Sequence, residues 1–356
     1  MNCEPAVVQA VELIGTAFDG VGSSGTALPA ATLRRCGSEV DRHDRGVARD
    51  EGYLLDNQHA QAGRRFDALS VLFNPSTFQY ARALGLAPGW RVWEVGAGSS
   101  SVPAWLAEQV GPDGRVLATD IDTSWIDGGH IGDIGYEVRR HDVGAAPPPQ
   151  EHFDLVHARL VLVHVPQRAQ ALAAMVAAVR PGGWLLLEEA DPTLQPLVCP
   201  DESGPKQRLA NKLKHGFRTL LAEHGVDLAY GRTLPRRLRG AGLLHVQSAA
   251  YFPIGGPACT ELERATVEQV RDRLVAAALA TEAEIEQHLA TVATGELDLA
   301  TSPMISAWAQ KPPTACTSPD PYLYTDDGDS RAVRRFQSPE AQRSGFVSVD
   351  SPRAAS

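Results

Sequence analysis

The stretch Arg91–Ser101, RVWEVGAGSSS, followed at Arg115–Asp122 by RVLATDID, constrains the fold more than any other part of the chain. Val92, Trp93 and Val95 make the short apolar run of a buried parallel strand. Gly96 and Gly98 then let the backbone turn sharply and approach a ligand with no Cβ in the way, so contact here is main chain. Ser100 or Ser101 can cap the helix that follows, Pro103 suits its first turn, and Val102, Leu106 and Val110 share one face. Arg115–Thr119 reads as the next strand. Asp120 stands at its end, where an open parallel sheet presents an acid to ribose hydroxyls. Strand, glycine turn, helix and strand with a terminal acid make a nucleotide-type binding half-site, which points to an enzyme.

The alternation continues with a glycine-rich bend at 127–135, strands at 136–140 and 153–158, a helix at 167–179 and a strand at 183–189. Such alternation predicts an α/β fold: a doubly wound, mostly parallel sheet with helices on both faces. Two amphipathic helices at Arg64–Phe73 and Pro75–Leu86 precede the first strand and are placed to cover the ligand mouth. Asp191–Arg232, with a helix near Lys206–His224, is too long for a plain connection and reads as a helical lid or insertion. Beyond it come a helix at Thr233–Ala241, a strand at Leu243–Phe252, helices at Glu261–Leu279 and Glu282–Ala293, and a last strand at Ser302–Ala309. Residues 1–50 read as a poorly ordered leader, 51–311 as the folded domain and 312–356 as a disordered tail.

Charge and cysteine usage exclude several classes. The formal net charge of −10 over 356 residues argues against a sequence-blind grip on nucleic acid, which needs clustered Lys and Arg. The basic cluster Arg232, Arg236, Arg237 and Arg239 reads as a solvated helix face. Cys3, Cys36, Cys199, Cys259 and Cys316 are scattered, with no C-x-x-C pair, implying a reducing compartment and no metal site. No stretch approaches the roughly 20 apolar residues that span a bilayer, and no basic region precedes the apolar run Ala6–Ile14. The expectation is a cytoplasmic protein with no membrane partner.

Glu94 precedes the turn, so the motif is E-x-G-x-G-x-S, and after it come HDV (His141–Val143), FDLVHARLVLVHVP (Phe153–Pro166) and RPGGWLLLEE (Arg180–Glu189). In this order the segments resemble the class I, Rossmann-like S-adenosylmethionine-dependent methyltransferases, in particular the small-molecule branch similar to ubiquinone and menaquinone biosynthesis methyltransferases. The resemblance covers roughly Gly52–Lys311. It implies a seven-stranded sheet whose last strand is antiparallel, with S-adenosyl-L-methionine as cofactor. Glu94, Gly96 and Gly98, with Ala97 between, would hold its methionine half. Asp120, with Ile121 beside it, would take the ribose hydroxyls, and Asp142 with Val143 the adenine. Ser100 departs from the family, which often has glycine there. The rival reading is a dinucleotide-dependent oxidoreductase; Ser101 at the third glycine position, the acid at Glu94 and the PGG corner disfavour it. A non-catalytic cofactor-binding module is the third reading.

Methyl transfer is an in-line displacement that depends on alignment and exclusion of water. Residues after strand Phe153–Val156, namely His157, Ala158 and Arg159, are expected on the reacting face. His157 is a candidate base for a hydroxyl acceptor, or a backbone or cofactor partner. His164 is a second catalytic candidate, with packing or a local hydrogen bond as the plainer role. Arg159 pairs with Glu94, with the cofactor carboxylate, or in a plain salt bridge. Where amino methylases of nucleic-acid bases or glutamine usually carry N/D-P-P-Y/F, this chain has HARL, which favours a small-molecule O-, C- or N-acceptor. Tyr53, Trp93, Trp105, Trp125 and Trp184 would form an aromatic pocket, or core.

Overall fold

A computed structural model describes residues 54–55, 61–126, 130–131 and 134–314. The leader, most of the tail and Tyr53 lie outside the described residues. The elements in chain order are α1 (Ala62–Ala83), β1 (Arg91–Val95), α2 (Ser101–Val110), β2 (Arg115–Asp120), β3 (His130–Ile131), β4 (Ile134–Gly135), β5 (Glu137–Arg140), β6 (Phe153–Arg159), α3 (Arg168–Ala178), β7 (Val179–Ala190), α4 (Pro205–Glu223), α5 (Leu234–Gly240), β8 (Leu244–Tyr251), α6 (Pro257–Ala276), α7 (Glu282–Thr294) and β9 (Met304–Gln310). The main sheet has seven strands in the order β5-β2-β1-β6-β7-β9-β8. β9 runs antiparallel to both its neighbours, and the other pairings are parallel. The glycine-rich bend forms the small antiparallel pair β3–β4.

Alternation along the strands sorts side chains onto two faces. Trp93, Val95, Leu117, Val156, Leu185, Leu187 and Ala307 are buried in one core that takes Leu172 and Met175 from α3 and Leu234 and Leu238 from α5. Val92, Val116, Ala118, Leu155 and Leu186, on the opposite face, pack with Ala81 of α1 and with Val102, Leu106 and Val110 of α2. Both faces are covered, as a parallel sheet requires. Further apolar clusters join α4 to α6 and α7 through Leu213, Leu220, Val270, Leu274 and Ile285, and α1 to the start of β9 through Phe73 and Met304. The helical insertion is thus part of a wider layer that includes α6 and α7.

The two expected N-terminal helices are one, running unbroken through Pro75. Proline removes the N–H that would pair with the Val71 carbonyl. Val71 is 66% exposed, so water can serve that carbonyl, and packing of α1 on α6 maintains the helix. α6 starts at Pro257, four residues before the expected Glu261, because proline suits the first helical turn. The arginine cluster is more than a solvated face. Arg232 binds the buried Asp191 carboxylate through Nε at 2.6 Å and a terminal nitrogen at 2.7 Å, and Arg237 lies 4.4 Å from the Tyr230 ring centroid. Burial opposes ionisation of Asp191, yet the guanidinium holds its carboxyl below the usual range.

Candidate active site

The glycine turn is built as its sequence demands. Gly96 and Gly98 both have φ of 62°, in the left-handed region, and a Cβ on Gly96 would stand 2.3 Å from Val161 Cγ2. A Cβ on Gly98 would meet the Phe66 ring at 3.0 Å, so α1 folds down over the turn. Between them, the Ala97 N–H donates to the Thr119 carbonyl at 3.0 Å, tying the turn to β2. Ser100 occupies the N-cap position of α2 but makes no side-chain capping bond, and Ser101 instead lies 2.9 Å from Ser70 of α1.

Asp120 ends β2, as expected, and is only 7% exposed. Its Oδ2 accepts from the Gly98 N–H at 2.9 Å and its Oδ1 from the Asp122 N–H at 3.0 Å, so it braces the turn while each oxygen keeps acceptor capacity. Burial raises its acid above the ordinary value. Ile121 is 56% exposed beside it, an apolar surface suited to a flat ring. Past β5, the Asp142 carboxylate accepts from the Gly144 N–H at 2.9 Å, and Val143 is buried in the core. Left-handed glycines, a braced acid at one strand end and an exposed acid at the next fit the cofactor that the resemblance implies.

Strand register carries a second group of residues to one place. Glu94 pairs with His157 across β1–β6, Arg159 with Glu188 across β6–β7, and Glu188 with Ser306 across β7–β9, so all five share the sheet face that α1 covers. His157 Nδ1 lies 2.5 Å from Glu94 Oε2, and Nε2 lies 3.1 Å from Glu188 Oε2. Ser306 Oγ donates to Glu188 Oε1 at 2.6 Å, and the Thr77 hydroxyl of α1 donates to the other Glu188 oxygen. Arg159 donates to Thr77 Oγ1 at 3.0 Å and to Asn74 Oδ1 at 2.9 Å. Two cations and two carboxylates thus balance inside the sheet. Burial works against charge on His157, but Glu94 and then Glu188 outweigh it and raise the imidazole to about 9. Burial also opposes charge on Glu188, whose carboxyl the imidazole nevertheless holds below the usual range.

This geometry corrects the expectation for the reacting face. β6 runs on to Arg159, so His157 lies inside a strand, 1% exposed and with both ring nitrogens occupied. Arg159 binds α1 side chains and makes no direct hydrogen bond to Glu94, whose carboxylate is engaged by His157. The residues past the strand are Leu160–His164, opening with Leu160 at φ 57°. No aromatic pocket assembles among the described tryptophans. Trp93 is fully buried with Nε1 on Thr119 Oγ1 at 2.9 Å, Trp105 stacks on Phe78 at 3.9 Å, Trp184 packs on the core, and Trp125 lies edge-on to Phe66.

A cavity of about 150 Å³ opens past the carboxyl ends of β6 and β7. Its walls come from α1 (Leu69, Phe73), the loop after β6 (Val163, His164), α4 (Phe217) and α6 (Leu262). Burial first, then Arg65 and Arg168, push the His164 imidazole down to about 3, so the ring is neutral. Adjacent residues join the cavity to the glycine turn: Phe66 and Val161 face the turn, while Arg65 and Leu160 face the cavity. The sequence reading missed Glu188 as the partner of His157. The acid pair closing the apolar run LLLEE was the available signal, since a buried acid needs a partner. Among the described residues no group of His, Cys, Asp and Glu is arranged to hold a metal ion, Cys199 and Cys259 are free thiols, and no helix is long and apolar enough to cross a membrane.

Comparison with known proteins agrees with the motifs. A methyltransferase domain model matches residues 93–187. The ubiquinone/menaquinone biosynthesis C-methyltransferase UbiE of Vibrio parahaemolyticus is 31% identical over 122 residues, 32% of this chain and 46% of that protein. The UbiE of Serratia proteamaculans is 30% identical over 169 residues, 43% of this chain and 66% of that protein. The chain therefore spans about half the length of most of the curated relatives it matches. Among solved structures, a putative methyltransferase from an antibiotic biosynthesis pathway of Anabaena variabilis aligns with 15% identity and a TM-score of 0.46, covering 66% of this chain and 96% of that one. A Haemonchus contortus phosphoethanolamine N-methyltransferase 2 in complex with S-adenosyl-L-methionine aligns with 14% identity and a TM-score of 0.44, covering 73% and 60%. The motifs, the seven-stranded sheet, the domain model and the two UbiE relatives together identify a class I, S-adenosylmethionine-dependent methyltransferase domain in this chain, resembling that of the ubiquinone and menaquinone biosynthesis enzymes.

Proposed function

We propose that the chain methylates a small-molecule O-, C- or N-acceptor seated in the cavity past β6 and β7. The observation that carries this reading is the junction of the glycine turn and the cavity through neighbouring residues of α1 and of the loop after β6. Bound S-adenosylmethionine supplies a methyl group on a positively charged sulfur, open to in-line attack. Gly96, Ala97 and Gly98 would hold the methionine end by main chain, Asp120 and Ile121 the ribose, and Asp142 and Val143 the adenine. Glu94 and Arg159 act from within the sheet, by fixing His157 and α1. α1 and α4 would exclude water, which strengthens alignment as the source of acceleration.

His164 is the histidine that meets the acceptor in this reading, and His157 is a positioning residue. A neutral imidazole pushed down to about 3 is too weak a base to keep a proton, so it orients a donor group by hydrogen bonding. His157, held between two carboxylates, keeps β1, β6 and β7 in register. Calorimetry with S-adenosylhomocysteine and with NADH, followed by homocysteine-release assays on a panel of phenol, carbon-acid and amine acceptors, tests the proposal. The expected results are micromolar binding of the first ligand, none of the second, and turnover with at least one acceptor class. NADH binding without S-adenosylhomocysteine binding would sink it.

A further inference from the structure

The acceptor cavity is apolar in most of its wall but carries a cluster of polar groups. Lys214 and Arg218 lie one turn apart on α4, and both line it. Like charges at this spacing destabilise a helix by themselves. Among the described residues neither makes a hydrogen bond or close ion pair, although Glu263 of α6 attracts Lys214 from a distance. Lys214 Nζ stands 5.5 Å from the Phe217 ring centroid, and Arg218 Nε is buried without a partner. Arg65 of α1 adds a third cation to the wall.

The acids that face the cavity make their hydrogen bonds elsewhere, and Glu263 answers Lys214 only by longer-range attraction. Glu263 of α6 lies 3.0 Å from His288 Nε2, and Asp227 accepts from the Ala229 N–H of its own turn at 3.1 Å. Thr301, 5% exposed, also lines the cavity, and its hydroxyl has no hydrogen-bond partner. Buried polar groups are normally paired, so Arg218 and Thr301 mark places where a polar ligand group belongs. The volume is that of a cavity able to hold a single benzene-sized ring.

We infer that the acceptor is a compact, largely apolar molecule of about one ring that carries an anionic oxygen group, held by Lys214, Arg218 and the Thr301 hydroxyl. This rests on the proposed function only in taking the cavity as the acceptor site. The apolar wall grips the ring, while an anion relieves the repulsion between Lys214 and Arg218. Neutral molecules of the same shape leave Arg218 and the hydroxyl unanswered and the Lys214–Arg218 repulsion unrelieved, and that is the source of selectivity.

Ligand-observed NMR on the full chain, with S-adenosylhomocysteine present, reads this directly with 4-methylbenzoate, its neutral isostere 4-methylbenzamide, and 4-methylphenol. The benzoate is expected to bind at least ~10-fold more tightly than the benzamide, and Lys214→Gln/Arg218→Gln to erase that difference while leaving benzamide affinity unchanged. If the phenol binds better as pH rises through its own ionisation, the anionic group is a phenolate-type oxygen and the inference stands. Equal affinity for benzoate and benzamide in the unsubstituted chain would overturn it, as would absence of benzoate binding at millimolar concentration. The comparison between probes needs no variant, so a misfolded substitution leaves it decisive. S-adenosylhomocysteine affinity in the same samples separates failure of this inference from failure of the methyltransferase reading.

Discussion

The glycine turn and the cavity past β6 and β7 are built in opposite ways. Around Gly96–Gly98 and Asp120 the structure is made within one short stretch of chain: main-chain bonds, left-handed glycines and an acid 22 residues beyond Gly98. The cavity draws walls from α1, α4, α6 and the approach to β9, so residues some 200 positions apart in the chain face each other, as Arg65 and Glu263 do. Local backbone geometry tolerates little variation in the first region. In the second, side-chain chemistry can vary without altering the backbone. Between them sits the Glu94–His157–Glu188 cluster, clamping the strands that carry both.

The largest expected effect breaks that clamp. His157→Leu leaves two carboxylates facing each other in the sheet and should lower stability by about 3–5 kcal/mol, read by urea unfolding. The intact cluster also sets a pH dependence. A folded pKa of about 9 against roughly 6.5 unfolded means the stabilisation is full below pH ~6.5 and is lost as pH rises toward 9. Glu189 adds a loss that starts at lower pH. Burial pushes its acid up to about 8, so stability falls as pH rises from its unfolded pKa of about 4.3 to about 8 and is level above that. Glu189→Gln keeps an acceptor for the Val161 and Leu162 N–H groups and should flatten the curve over that window. A His157→Leu chain as stable as the original at pH 6 would show that the clamp contributes nothing.

Asp120→Ala comes next and sharpens the contrast between the two regions. Loss of charge-assisted hydrogen bonds to the ribose should weaken S-adenosylhomocysteine binding by roughly 1.5–3 kcal/mol, measured by calorimetry. Because Asp120 also braces Gly98 and Asp122, the melting temperature should fall as well. Binding of 4-methylbenzoate should hardly change. An equal loss at both sites would mean that the two regions are one cooperative unit.

The smallest effect concerns α1, which roofs both regions. Pro75→Ala restores a helical N–H and should raise stability by about 1 kcal/mol with cofactor affinity unchanged. A fall in stability would indicate that the proline supports a bend the packing requires.

The sheet was legible because parallel strands and their flanking helices carry strong local signals. Apolar runs, the PGG corner and the alternation of periods gave each main-sheet strand within a few residues. α1 was divided at Pro75 because local propensity penalises a proline that tertiary packing accepts. Glu94, His157 and Glu188 each interrupt an apolar strand, a pattern that calls for buried polar partners without saying which ones. Their pairing depends on the register between strands far apart in sequence, and one residue of slip would send His157 to the opposite face.

By itself the sequence determined the strand–turn–helix that receives the cofactor, since left-handed glycine and a strand-end acid are properties of a short segment. Only the packing of the elements separates the two histidines. His157 and His164 have the same intrinsic chemistry, and burial between two carboxylates makes one a fixed cation at neutral pH, whereas burial beside arginines keeps the other neutral at the cavity wall. That Lys214 and Arg218 share one cavity wall with Thr301 is likewise invisible in sequence, because it depends on how α4 packs against the approach to β9.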